Sequence, residues 1–67
     1  MEIREGRLKY LLYQSASDYI TAIENNNPTA CIISKGKIFI LQDLLEQEEI
    51  IDKYIAKSIV QDYLENL

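Results

Sequence analysis

The sequence contains no histidine, no tryptophan, one cysteine, one proline and two glycines. Without histidine, the commonest general base and metal ligand is missing, and Ser–His or Cys–His nucleophile pairs cannot form from this chain alone. One cysteine excludes an intramolecular disulfide, and Cys31 lies in an apolar stretch where burial keeps a thiol inert. We therefore expect a protein that is not an enzyme and that binds no metal ion and no cofactor.

Long apolar runs are also missing. The longest uninterrupted apolar stretches contain four residues, far fewer than the ~20 that cross a bilayer. Residues 1–7 carry charges where a signal peptide needs an apolar stretch. The sequence therefore predicts no membrane partner, and it favours the reducing cytoplasm of a bacterium or a phage-infected host cell.

The chain is short, and 67 residues are enough for one domain, 1–67. A domain of this size buries only about 60% of the surface that its unfolded chain exposes, so its core alone gives marginal stability. Small domains usually add disulfides, a structural metal or an oligomeric partner. With one cysteine and no histidine, the sequence nearly excludes a disulfide and a structural metal site. We therefore expect a homodimer.

The net charge of −4 is unevenly distributed along the sequence. Residues 1–42 contain five basic and four acidic residues, for a net charge of +1, whereas residues 43–67 contain two basic and seven acidic residues, for −5. An acidic segment repels phosphates, since nucleic-acid affinity comes largely from cations that replace condensed counterions. This segment favours a basic protein partner and disfavours direct nucleic-acid binding.

The middle of the chain has the pattern of a β-hairpin. Two short runs rich in isoleucine flank Lys35-Gly36, a two-residue linker with glycine in its second position. We predict a hairpin over about 29–42. The polar run 25–27 before Pro28 is typical of a helix end and its exit loop.

A long carboxyl-terminal helix is predicted over about 43–66. Asp43 and Glu46 have the spacing of a capping box, and no glycine or proline follows Gly36. Because the apolar face rotates along this segment, either the helix breaks near 46–49 or its second half covers a partner. The dimer interface is predicted to contain Tyr54, Val60, Tyr63, Leu64 and Leu67.

The first 26 residues fit two descriptions. Residues 7–14 alternate as an amino-terminal strand would, and Ser15 could cap a helix over about 16–26. These elements, with the hairpin and the final helix, give the α+β fold that we predict. The alternative is an α-β-β-α order with a single long helix from Arg7 to Glu24.

The function predicted from these features is that of a small acidic, non-enzymatic regulator or inhibitor that acts as a homodimer. As a DNA mimic, it would block a basic nucleic-acid-binding protein by placing carboxylates where phosphates bind, and its composition fits a phage product. The alternative is a dimeric DNA-binding transcriptional regulator that uses a Lys35-Gly36-Lys37 hairpin as a wing. The predicted partner-binding acids are Glu46, Glu48, Glu49, Asp52, Asp62 and Glu65.

Overall fold

The computed structural model describes residues 3–67, which form three α-helices and no strand. Helix α1 spans Ile3–Glu24, α2 spans Pro28–Leu44 and α3 spans Lys53–Glu65. Helix α1 packs against both other helices, whereas the backbones of α2 and α3 do not approach each other closely. The fold is therefore an all-helical arrangement with α1 in the centre, and the α+β prediction is wrong.

The core lies where the three helices and the second connection meet. Two of its five buried apolar residues are alanines, whose short side chains allow helix backbones to approach closely. Partly buried apolar side chains surround this cluster, among them Tyr19, Leu41 and Ile59. The buried apolar residues of the cluster are Leu12, Ala16, Ile38, Ile51 and Ala56.

The first connection is the run of three asparagines at 25–27, which ends α1 and starts α2. Asn26 has a φ of 52°, and the Asn27 N–H donates to the Ala22 carbonyl at 2.9 Å, as in a Schellman motif. The Asn27 side chain then accepts a hydrogen bond from the Ala30 N–H at 3.2 Å, and Pro28 is the first residue of α2. Residues 25–27 thus end a helix, as predicted, but they begin a second helix where the sequence predicted a strand.

The predicted hairpin over 29–42 is wrong because this segment is the body of α2. Gly36 has no positive φ and continues the helix, so the chain does not turn there. Ser34, Ile38 and Gln42 are buried at a spacing of four residues, which is the period of a helix face. Apolar runs of four residues fit a strand and a buried helix equally well, and the capped start at Asn27 favours the helix.

The predicted strand over 7–14 is also wrong, and the helix predicted over 16–26 is only the second half of α1. A single amino-terminal helix, the first element of the α-β-β-α alternative, is confirmed, but the two strands of that alternative are not. Ser15 does not cap a helix; it is buried within α1 beside Ala16. Its small side chain suits a position where helices pack closely.

The predicted helix over 43–66 is interrupted, as one of the two descriptions of this segment anticipated. Helix α2 ends at Leu44, and Glu46 has a φ of 60°, which is typical of a helix terminus. The capping residue is Asp52, whose carboxylate accepts a hydrogen bond from the Ile55 N–H at 2.9 Å. Asp43 therefore lies inside α2 and does not start a helix. Within residues 3–67, no helix has the length and apolar character that crossing a membrane requires.

Candidate interaction surfaces

Helix α2 buries polar side chains and exposes apolar ones. Of its three buried residues, Ser34 and Gln42 are polar and only Ile38 is apolar. Ile32 and Ile40, by contrast, are 73% and 64% exposed. We name the exposed apolar set the α2 apolar face, and its members are Ile32, Ile33, Phe39, Ile40 and Leu44.

The α2 apolar face occupies one side of the helix as two apolar flanks. At about 100° per residue its five side chains fall within an arc of roughly 140° on the helix. Gly36 lies close to the midline of this arc, and Thr29 and Asp43 lie on the same line one heptad to either side. The stripe therefore has large apolar side chains on both flanks and a glycine in its centre.

Nothing within the single chain explains the glycine at position 36. A Cβ atom placed on Gly36 would have no neighbour within 4 Å, and its backbone has ordinary helical φ. A glycine in a helix interior destabilises the helix by about 0.5–1 kcal/mol relative to alanine. The glycine leaves open a position on the outer surface where another backbone can approach.

Gln42 is the buried counterpart of this exposed stripe. Its side chain is 1% exposed, and within the described residues neither its Oε1 nor its Nε2 atom has a hydrogen-bond partner. An unsatisfied buried amide costs about 1–3 kcal/mol. Helix α2 therefore buries two polar side chains beside Ile38 and exposes five large apolar side chains to solvent.

The acidic loop, residues 45–52, is a second surface. It contains four of the six predicted partner-binding acids, Glu46, Glu48, Glu49 and Asp52, and all four are exposed. Among residues 3–67, the single ion pair joins Lys9 to Glu5, so no cation of the described chain neutralises these carboxylates.

Asp52 and the two predicted acids outside the loop have further structural roles or positions. Asp52 closes the acidic loop, where one of its oxygens caps α3. Asp62 and Glu65 lie on the last turns of α3. The Glu65 carboxylate accepts a hydrogen bond from Gln61, and the Asp62 backbone carbonyl accepts one from Asn66. Four of the six predicted acids are thus collected in one short loop.

An open depression of about 550 Å³ separates the acidic loop from the end of α2. Ile50 projects from the loop beside it and is 82% exposed. The depression therefore combines apolar walls with carboxylates, a combination that suits a basic side chain with a long apolar stem. The apolar and acidic residues that line it are Phe39, Ile40, Asp43, Glu48, Glu49 and Ile50.

The five residues predicted to form a dimer interface are divided between two environments. Val60 is partly buried against the core, and the Tyr63 ring stacks on Tyr13 of α1 with 4.3 Å between centroids. Tyr54, Leu64 and Leu67 are exposed. Two of the five therefore pack within the chain, and a contact of the others with a second copy stays a prediction.

The predicted wing does not exist, because Lys35-Gly36-Lys37 is a helical turn in the middle of α2. The Lys35 Nζ atom lies 5.9 Å from the centroid of its own Phe39 ring. The hairpin-wing mode of DNA contact is therefore wrong. The α2 apolar face was missed for the same reason, since its stripe appears only when residues 28–44 are placed on a helix.

The described residues contain no group of three cysteine or acidic side chains arranged to hold a metal ion. Comparisons of the chain with protein-family models, with curated proteins and with solved structures found no match. A function must therefore be argued from the two surfaces, the acidic loop and the α2 apolar face.

Proposed function

We propose that this chain is a small non-enzymatic regulator or inhibitor that binds a basic protein through the acidic loop. One observation carries the proposal: Glu46, Glu48 and Glu49 are exposed together in one short connection, with no cation of the described chain beside them. Carboxylates clustered in this way carry a local negative potential that attracts and orients a basic surface.

The partner class follows from the chemistry of the loop. Proteins that bind phosphates present clustered lysine and arginine side chains, and arginine pairs with carboxylates in the same bidentate geometry that it uses for phosphates. The exposed Ile50 adds apolar contact beside the charges. A nucleic-acid-binding protein whose basic site is covered by the loop fits both features, and the carboxylates then act as phosphate mimics.

The test is affinity capture from a lysate of the organism that encodes the chain, followed by measurement of the captured protein's binding to duplex DNA. The matched variants are a triple charge reversal in the loop, Glu46→Lys with Glu48→Lys and Glu49→Lys, and a triple reversal on α1. The second set, Glu5→Lys with Asp18→Lys and Glu24→Lys, changes net charge equally at exposed positions away from the loop.

We expect the wild-type chain and the α1 variant to capture the same basic protein and to inhibit its DNA binding, with both effects weakened by salt. The loop variant should lose capture and inhibition. An equal loss of capture in both variants would mean that net charge alone drives binding and would overturn a role of the loop. Capture that survives the loop reversal would also overturn the proposal.

A further inference from the structure

We propose that the α2 apolar face binds a second copy of the chain, with the two α2 helices antiparallel and crossing at Gly36. The inference is independent of the partner of the acidic loop. It names a different surface from the one predicted from the sequence, because Val60 and Tyr63 of α3 already pack within the chain.

The surface of the single chain is larger than its mass requires. It exposes 5116 Å², whereas a compact monomer of 7.8 kDa exposes about 4,400 Å². The difference of about 700 Å² is close to the ~800 Å² that each partner buries in a standard interface. The fractional exposures of the five residues of the α2 apolar face add up to about three fully exposed residues.

The α2 apolar face is complementary to itself. A two-fold axis at Gly36 brings residues before the glycine opposite residues that follow it at a similar distance. On one flank, Ile32 then meets Phe39 of the second copy, and on the other flank Ile33 meets Ile40. An isologous interface requires this kind of pairing, and the run Ile-Ile-Ser-Lys-Gly-Lys-Ile-Phe-Ile has nearly the same pattern in both directions.

Gly36 acquires a role in this arrangement. It occupies the crossing point, where the absence of a side chain allows the two backbones to approach and the flanking isoleucines to interdigitate. This explains a glycine that the single chain does not need, since a Cβ atom there would touch nothing within 4 Å.

Asp43 distinguishes the antiparallel pair from a parallel one. In a parallel pair the two Asp43 carboxylates would meet on the midline of the interface, and like charges there oppose association. In the antiparallel pair, Asp43 lies opposite Thr29 of the second copy, in the first turn of its α2. The positive end of a helix dipole is located there, and a carboxylate is favourable.

The pairing leaves the acidic loops accessible. They follow the carboxyl ends of the two α2 helices, so they lie at opposite ends of an antiparallel pair, about 25 Å apart for 17 residues at ~1.5 Å each. The second copy covers Phe39 and Ile40, which share a depression with Glu48, Glu49 and Ile50, so a basic partner would meet the loop at the edge of the dimer interface.

Sedimentation equilibrium over a concentration series tests the interface. Gly36→Leu places a side chain at the crossing point, and Ile32→Glu places a charge on one flank. Gly6→Leu and Tyr54→Glu are the matched controls, because Gly6 is an exposed helical glycine with no neighbour within 4 Å of a Cβ and Tyr54 is 81% exposed on α3, outside the stripe. Circular dichroism of every variant at low concentration establishes that the helices are retained.

We expect a wild-type dimer, a Kd raised by at least about tenfold in Gly36→Leu and in Ile32→Glu, and a Kd within about threefold of wild type in the two controls. A monomeric wild-type chain would overturn the proposal. So would a dimer that is weakened only by Leu64→Glu and Leu67→Glu, which would place the contact on α3.

Disulfide trapping then tests the orientation in a Cys31→Ser background. Ile33→Cys and Ile40→Cys chains of different mass should form a mixed disulfide when combined, and each should give little linked product alone. Linkage of each variant to itself with no mixed product would overturn the antiparallel arrangement. Because neither cysteine lies in the acidic loop, these outcomes are separate from capture of a basic partner.

Discussion

Helices α2 and α3 both pack against α1, yet they differ in which side chains they leave exposed. Helix α3 places Ile55, Ala56 and Ile59 toward the core and exposes polar residues such as Lys57 and Gln61. Helix α2 buries Ser34 and Gln42 beside Ile38 and exposes its apolar face. Most of the apolar side chains of α3 are covered within the chain, whereas most of those of α2 are not.

This difference indicates that the exposed side of α2 in the single chain is a side that an assembly would bury. A helix with large apolar side chains on two sides is typical of an element surrounded by protein. Helix α2 has that composition although it lies at one side of the described chain. The contrast with α3 can be tested at single residues, from the largest expected change in stability to the smallest.

Replacing Ile38 with alanine should give the largest effect. Ile38 is fully buried in the core, and such a truncation typically costs about 2–5 kcal/mol. A chain of 67 residues has a free energy of unfolding of only about 3–10 kcal/mol. We therefore expect urea denaturation, followed by circular dichroism, to show a variant close to unfolded.

The matched control is Ile40→Ala, two residues further along the same helix. Because Ile40 is exposed in the single chain, the change should alter the free energy of unfolding by less than about 1 kcal/mol at concentrations where the chain is monomeric. Equal destabilisation by both variants would contradict the division of α2 into a buried and an exposed face.

Replacing Tyr63 with alanine should weaken the α1–α3 contact by about 1–3 kcal/mol, since it removes partly buried area and an aromatic stack. The Tyr63 ring contacts both Tyr13 and Tyr10, at centroid distances of 4.3 and 6.1 Å. Thermal denaturation of Tyr63→Ala should show a lower Tm. Tyr54→Ala is the control, because Tyr54 is 81% exposed on the same helix and its loss should leave Tm nearly unchanged. If the two substitutions lower Tm equally, α3 does not pack through Tyr63.

The parts of this fold that the sequence predicts are those with local physical causes. The helix end at residues 25–27 follows from asparagines that accept a left-handed conformation and from a proline that must start a new element. The break after α2 follows from an apolar face that rotates where Glu46 to Glu49 interrupt it. The exposed acids of the loop follow from charge alone.

The parts that the sequence did not predict depend on tertiary context. The isoleucines of 29–42 have strand propensity, and only packing against α1 decides that their period is helical. A glycine such as Gly36 fits both a hairpin turn and a helix, and only its φ value distinguishes the two. The α2 apolar face could not be recognised until that decision was made, and for the same reason Gln42 was not identified as a buried amide.

Replacing Gln42 with methionine should stabilise the chain by about 1–2 kcal/mol. The substitution keeps the volume and removes an amide that has no hydrogen-bond partner among the described residues. Urea denaturation should show a higher midpoint with an unchanged m-value. Gln14→Met, at an exposed helical position on α1, should change the midpoint little. A lower midpoint for Gln42→Met would mean that the Gln42 amide makes a hydrogen bond in solution.

Asp52→Ala should give the smallest effect, a loss of about 1 kcal/mol, because it removes the acceptor that caps α3. Asp52→Asn keeps an oxygen acceptor for the Ile55 N–H and should retain most of the stability, so the pair separates hydrogen bonding from charge. Glu49→Ala removes an equal charge from the same loop without touching a cap and should be nearly neutral. If Asp52→Asn is as destabilising as Asp52→Ala, Asp52 stabilises α3 through its charge at the positive end of the helix dipole. The acidic loop would then stabilise the start of α3 electrostatically, in addition to the partner contact proposed for it.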